Sequence, residues 1–223
     1  MTYVQWGGVN PGVLIACGVT AAGMIVTIAV RRHRDRSAGR ARAERHGWEL
    51  VCRGDDLRER LAATGLMEIG HSRRIRRAFS DAGPTYLFEY VFDTGFEHRR
   101  RSHPWIVAAR CTDHACERAV LTSQDWIASV CRQPWLRELT VPGATEASWL
   151  AIVDDADVWA ERLRGDVGRW LAQQPAERTW EIVPGYVVAY EPGRLRDDAL
   201  DTLGSASAEL ERLLMAPLPK KNG

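Results

Sequence analysis

Lysine is almost missing from this chain, which draws 28 of its 30 basic groups from arginine and has lysine only at Lys220 and Lys221. The basic groups face 29 acidic groups, so the net charge is +1. A protein that coats nucleic acid would carry a large positive excess, and nucleic acid is therefore not an expected partner. The apolar fraction of 45% likewise excludes an intrinsically disordered chain.

The common catalytic and nucleotide-binding motifs are also missing. The sequence contains no GxSxG, P-loop, GxGxxG or HExxH pattern. Its five cysteines are too few for the disulfide framework of a small secreted domain. These absences favour a protein that binds over a protein that catalyses.

Charge is missing altogether before Arg31. After a short N-terminal tail (residues 1–11), residues 12–30 contain nothing more polar than Thr20 and Thr27. As a helix this stretch would be roughly 28 Å long, close to the thickness of a bilayer core. A cleavable signal peptide fits less well, because a basic start and a clear cleavage site are both missing. We therefore predict a transmembrane helix over residues 12–30.

An arginine-rich juxtamembrane segment follows at residues 31–46. It has two acidic residues, Asp35 and Glu44, and a net charge of +5 from seven arginines. Those arginines are Arg31, Arg32, Arg34, Arg36, Arg40, Arg42 and Arg45. The positive-inside rule then predicts a single-pass protein of the inner membrane, with its N-terminus outside and the rest in the cytoplasm. The arginines are expected to contact anionic headgroups, and small residues four apart in the span leave self-association open.

The remainder is predicted to be one α+β domain over residues 47–216, followed by a tail at 217–223. Apolar alternation predicts strands over residues 48–52, 73–80, 85–93, 105–111, 119–122, 138–141, 149–153, 179–183 and 186–191. Amphipathic spacing predicts helices over residues 55–64, from Asp154 or Asp155 to Leu171, and over 195–215. This order favours a mainly antiparallel sheet with packed amphipathic helices.

Several of these features occur together in a known group of proteins. The soluble part begins at Gly47-Trp48, continues through the strand at residues 88–95, and includes the hairpin at residues 180–186. Combined with the span, the arginine-rich exit and the closing helix, this pattern resembles uncharacterised bacterial single-pass membrane proteins with a C-terminal α+β soluble domain. The resemblance implies that architecture; it implies no reaction and no site residues.

One cluster could carry metal chemistry. Cys111, His114 and Cys116 lie close together in the sequence, and Cys131 follows fifteen residues later. Thiolates and imidazoles are the ligands that zinc prefers, so a small zinc-dependent or hydrolytic enzyme is the second hypothesis. The spacing differs from that of common zinc knuckles, and buried free cysteines are the simpler explanation. Three acids at Asp154, Asp155 and Asp157 are better explained as helix-capping residues.

Two further arginine runs bracket the aromatic strand. Either they form an anion-binding patch for lipid headgroups or they are a solvated strand face. The runs contain Arg73, Arg74, Arg76, Arg77, Arg99, Arg100 and Arg101.

Most of the nine tryptophans fall on predicted strands or core-facing helix positions. Trp126 and Trp135 instead lie in a less regular stretch, where aromatic side chains often anchor interfaces. The first hypothesis is therefore a membrane-tethered cytoplasmic domain that binds or scaffolds a protein partner at the inner leaflet.

Overall fold

The computed structural model of the chain describes residues 47–51, 54–113, 117–142 and 149–217, together with residues 26, 27, 30, 41, 44 and 45. The chain divides into two units, Met1–Arg42 and Ala43–Gly223. In the first unit, Val26, Thr27 and Val30 are helical and exposed. The rest of the predicted span lies outside the described residues, among which no helix is both long enough and apolar enough to cross a bilayer.

Nine strands of the second unit form one antiparallel sheet. They are β1 (Glu49–Val51), β2 (His71–Ser80), β3 (Thr85–Thr94), β4 (Arg101–Cys111), β5 (Ala119–Thr122), β6 (Arg137–Thr140), β7 (Leu150–Val153), β8 (Thr179–Val183) and β9 (Tyr186–Pro192). Their spatial order is β1-β2-β3-β4-β9-β8-β5-β7-β6. The predicted α+β class with a mainly antiparallel sheet is confirmed.

Helices cover both faces of this sheet. They are α1 (Gly54–Arg60), α2 (Asp125–Cys131), α3 (Ala156–Arg164), α4 (Asp166–Leu171) and α5 (Asp197–Met215), with 3₁₀ helices at Gly65–Glu68 and Glu97–Arg99. One hydrophobic core lies between the sheet and helices α3, α4 and α5. The other lies between the opposite face and the layer made by α1, the first 3₁₀ helix and α2.

The strand sequences explain why both faces are covered. Along β3, Leu87 enters the first core and Phe88 enters the second, because successive side chains point to opposite faces. Likewise, Trp180 of β8 enters the first core, and Tyr190 of β9 enters the second. Strands buried on both sides therefore appear in the sequence as nearly continuous apolar runs.

The helix predicted to run through to Leu171 is interrupted. Asp155 caps α3 by accepting hydrogen bonds from the amides of Asp157 and Val158, both at 3.1 Å. The helix then stops at Gly165, and α4 begins at Asp166. The apolar residues keep the same helical spacing on both sides of this break, which is why the spacing alone predicted a single helix.

Gly168 supplies a test of how closely α3 and α4 pack. A Cβ at this position would collide with the carbonyl oxygen of Leu163, a backbone atom that cannot turn away. We therefore expect Gly168→Ala to lower the free energy of unfolding by about 1–3 kcal/mol. Urea denaturation followed by circular dichroism would measure this change.

Gly204 provides the matched control in α5. A Cβ there would lie 3.7 Å from Leu87, an ordinary contact distance. Gly204→Ala should raise the free energy of unfolding by about 0.5–1 kcal/mol, because alanine loses less backbone entropy in a helix. Equal stability of the two variants would contradict the close packing at Gly168.

Candidate functional site

Helix α2 presents apolar side chains in two directions. Ile127, Ala128 and Cys131 are buried against the second core. Trp126 and Val130, one helical turn apart, are instead 45% and 38% exposed. Helix α2 therefore buries one apolar side in the core and leaves a second apolar side exposed to solvent.

Trp126 is held in place although its ring is partly exposed. Its ring meets that of Trp105 edge to face at 5.7 Å, and its indole N–H donates to Gln124 Oε1 at 3.1 Å. Trp105 is 3% exposed and packs on the ring of Tyr190 at 5.2 Å. The orientation of Trp126 is therefore set by buried rings beneath it, which reduces the entropy that a partner would have to remove.

Trp135 lies in a turn just beyond α2. The amide of Leu136 donates to the carbonyl of Gln133 at 3.0 Å, and the Trp135 side chain between them is 67% exposed. Seven large apolar side chains of the described residues are exposed, and three of them fall between residues 126 and 135. We name Trp126, Val130 and Trp135 the tryptophan surface.

A buried carboxylate anchors the layer that contains α2. Glu181 of β8 is fully buried. Its Oε2 accepts from the amide of Gly65 at 2.6 Å, and its Oε1 accepts from the amide of Leu66 at 2.8 Å. The phenol of Tyr190 donates to the same Oε1 at 2.7 Å. The two amides therefore fasten the start of the first 3₁₀ helix to the sheet, and the phenol of Tyr190 in β9 completes the set of donors around the carboxylate.

Cys131 fills the space beside this anchor. A Cβ at Gly65 would lie 2.6 Å from the Cys131 sulfur, so this position in the 3₁₀ helix has to be glycine. Burial, and then the nearby Glu181 carboxylate, raise the pKa of the Cys131 thiol to about 12. Burial also raises the pKa of the Glu181 carboxyl and places that of Tyr190 well above its usual value. Cys131 therefore packs as a small apolar residue and is poorly suited to act as a thiolate.

The proposed zinc ligands are not all brought together. Cys111 ends β4, is half-buried and lies opposite Tyr186, whereas Cys131 lies beside Tyr190, four residues farther along β9. Four residues of strand correspond to about 13 Å, too far for two ligands of one zinc ion. His114 and Cys116 lie outside the described residues. Within the part of the chain that is described, no three His, Cys, Asp or Glu residues form a group that could hold a metal.

The first of the two arginine runs lies at a sheet edge. Strand β1 pairs only with residues 78–80 of β2, so residues 71–77 have no strand beyond them among the described residues. Register shifts interrupt β2 on both sides of Arg74–Arg76, and Arg77 has a positive φ of 47°. Bulges and exposed charges at an edge block pairing with another chain, which explains the position of Arg76 and Arg77.

Three of the other arginines bind groups of the protein itself, although Arg73 and Arg100 remain exposed. Asp93, whose side chain is fully buried, accepts from Arg100, from Ser102 and, at 3.4 Å, from Arg74. Hydrogen bonds from Ser102 and then from Arg100 hold the pKa of the Asp93 carboxyl well below its usual range. Arg73 donates to two backbone carbonyls within residues 68–70.

Exposed side chains remain at Arg76, Arg77, Arg99 and Arg101. Of the juxtamembrane arginines, Arg45 is helical and exposed, and the other six lie outside the described residues.

The Glu181 anchor predicts a pH-dependent stability. Because burial raises its pKa in the folded protein, the folded state binds a proton more tightly than the unfolded chain. The resulting stabilisation is complete below the ordinary glutamate pKa of about 4.3 and is lost as the pH rises through the folded value. We expect the free energy of unfolding, measured in urea between pH 4 and pH 8, to fall across this interval.

Glu181→Gln should remove this contribution to the pH dependence. Glutamine keeps one acceptor oxygen where the carboxylate has two, and its NH₂ group only donates, so the amide of Gly65 or that of Leu66 is left without an acceptor at a cost of about 1–3 kcal/mol. Glu138→Gln, at an exposed ion pair with Arg132, is the control and should leave the pH profile unchanged. An identical profile for wild type and Glu181→Gln would show that this carboxyl does not titrate as described.

Comparisons with known proteins find similarity in structure only. No family model matches the chain, and no curated protein matches it at a significant level. Among solved structures, the fold is similar to the crystal structure of the mycobacterial trehalose monomycolate transport factor A, TtfA, with a TM-score of 0.57. The two chains are 15% identical over 83% of this chain and 99% of that chain. At this identity the similarity establishes a shared fold across most of the chain.

Proposed function

We propose that this chain is a membrane-tethered transport factor that acts by binding a protein of a membrane transport system. The observation that carries the proposal is the tryptophan surface, in which Trp126, Val130 and Trp135 are exposed within one short segment. Exposed tryptophans on a rigid support are typical anchors of protein interfaces, because they bury a large area with little loss of side-chain freedom.

The surroundings of the tryptophan surface suit a partner that has both apolar and charged groups. Arg132 and Glu138 form an exposed ion pair beside Trp135. An apolar centre with a charged, solvated rim is the usual arrangement of a reversible protein interface. The apolar centre supplies the binding energy, and the rim excludes partners with unmatched charge.

The transport role is suggested by the shared fold. The similar solved structure is named a transport factor for trehalose monomycolate, and the fold likeness extends over 83% of this chain. The proposal takes the transport role from that name and leaves the cargo open. A protein-binding role agrees with it, since a factor can serve a transporter by holding its components together.

The tether is proposed from the sequence. Residues 12–30 are apolar throughout, and residues 31–46 carry a net charge of +5. These two features support a single inner-membrane span with the N-terminus outside and the α+β domain in the cytoplasm. In that position the arginines contact the anionic headgroups of the inner leaflet.

A topology reporter tests the tether. A fluorescent protein that matures only in the cytoplasm, fused after Gly223, should be bright, and alkaline phosphatase at the same place should be inactive. Replacing the seven arginines of residues 31–46 by glutamine should weaken this preference, because the positive-inside signal is lost. Active phosphatase and a dark fluorescent protein in the unaltered chain would contradict the proposed orientation.

Site-specific photo-crosslinking in living cells tests the partner surface. A photoreactive amino acid at Val130 or at Trp135 should cross-link the same protein, and Trp126→Ser should reduce the yield by about tenfold. The control places the same amino acid at Arg164, which is exposed on α3 in the opposite helix layer.

A product of equal yield at all three positions, or none at Val130 and Trp135, would contradict the proposed surface. A product that contains only this chain would assign the tryptophan surface to self-association instead.

A further inference from the structure

The tip of the β3–β4 hairpin carries the most exposed large apolar side chain of the described residues. Phe96 is 79% exposed, compared with 67% for Trp135. It lies between the end of β3 at Thr94 and the start of β4 at Arg101. Moving such an exposed phenylalanine from water into an apolar environment lowers the free energy.

The tip is built to hold Phe96 in this position. Its ring stacks on the ring of His71 at 5.1 Å and 11°, and Nε2 of His71 lies 2.7 Å from the carbonyl oxygen of Gly95. Gly95 has a positive φ of 72°, and a Cβ there would meet the carbonyl oxygen of Arg99 at 2.5 Å. The turn therefore requires glycine and brings the backbone of Arg99 close to Gly95.

Side-chain hydrogen bonds secure the base of the tip. Asp93, at the end of β3, binds Arg100 and Ser102 from the opposite side of the hairpin. On the other face of the sheet, Thr94 Oγ1 and His103 Nε2 lie 2.7 Å apart. The hairpin end is thus tied on both faces, and Phe96 extends from a fixed support.

The charge around Phe96 is strongly positive. Residues 71–77 and 93–103 hold seven arginines against two carboxylates, Asp93 and Glu97, a net charge of +5. Asp93 is fully buried and pairs with Arg100, so its negative charge chiefly offsets that arginine and the positive excess lies on the outer ones. Arg99 and Arg101 directly flank the tip with exposed side chains.

We infer that the β3–β4 tip is a membrane-docking element in which Phe96 enters the headgroup layer of an anionic leaflet while Arg99 and Arg101 bind lipid phosphates. One aromatic side chain among like charges is a poor core for a protein interface, where charge is depleted around the apolar centre. A bilayer surface accepts both parts, because aromatic rings are stable at the headgroup level and arginines are attracted to anionic lipid.

This inference rests on the proposed tether and is independent of the tryptophan surface. The tether keeps the domain close to one leaflet, so a weak second contact is enough to set its orientation. If the tip does not dock on the membrane, cross-linking at Trp135 is unaffected. If Trp135 gives no cross-link, docking of the tip is unaffected.

Hydrogen exchange of the full chain in lipid nanodiscs tests the inference. The discs contain phosphatidylcholine alone or phosphatidylcholine mixed with phosphatidylglycerol. We expect the amides of residues 95–101 to exchange about tenfold more slowly in the discs with phosphatidylglycerol. Raising the salt concentration should reduce this protection, because the attraction between arginine and phosphate is screened.

Two variants and a control separate the contributions. Phe96→Ser should return the exchange of residues 95–101 to nearly the value in phosphatidylcholine, and Arg99→Glu with Arg101→Glu should do the same. Trp135→Ser, which removes another highly exposed aromatic side chain, should leave the protection intact. Unchanged exchange in strands β3 and β4 would show that each variant remains folded.

Equal exchange of the tip in the two kinds of disc would overturn the inference. So would full protection in Phe96→Ser, which would place the lipid contact elsewhere. Protection that appears only after another protein is added would overturn it as well, since the tip would then bind that protein.

Discussion

The Glu181 carboxylate is the interaction on which the helical layer over the second core depends. A buried carboxylate is costly unless donors surround it, and here two backbone amides and one phenol meet its oxygens. The amides belong to Gly65 and Leu66, so the first 3₁₀ helix can begin only at this point on the sheet. The close fit of Gly65 against Cys131 then fixes the inner side of α2 and leaves Trp126 and Val130 on the outside.

Asp93 is a second buried carboxyl group that connects parts of the chain, at the end of the β3–β4 hairpin, but its partners and its pKa shift differ from those of Glu181. Glu181 meets neutral donors and its pKa rises through burial, whereas Ser102 and Arg100 keep Asp93 ionised. Contacting rings connect the two regions: the centroids of Trp126 and Trp105 lie 5.7 Å apart, and those of Trp105 and Phe92 lie 5.8 Å apart. Both proposed binding surfaces therefore rest on one rigid sheet, which suits a factor that holds a protein and a membrane in a fixed relation.

The sequence predicts the strands of this protein more accurately than its short helix and its exposed aromatic residues. Strands β3, β5, β8 and β9 lie within one or two residues of their predicted ends, because turn residues such as Pro184-Gly185 bound strongly apolar runs. Helix α2 was not predicted, since seven residues are too few for a clear helical period. Trp126 and Trp135, which the sequence analysis names as candidate interface residues, are exposed, whereas Phe96, three residues beyond the predicted aromatic strand, was not singled out.

The sequence by itself determined the class of fold, the apolar N-terminal stretch with its arginine-rich exit and most strand positions, because these depend on neighbours within a few residues. Only the tertiary structure decided which arginines remain available, since Asp93 engages Arg74 and Arg100 across strands and Arg76 lies at an edge. It also decided the role of Glu181, whose amide partners lie 116 and 115 residues away. Contacts over such separations depend on how the sheet is ordered, and that order is a property of the whole chain.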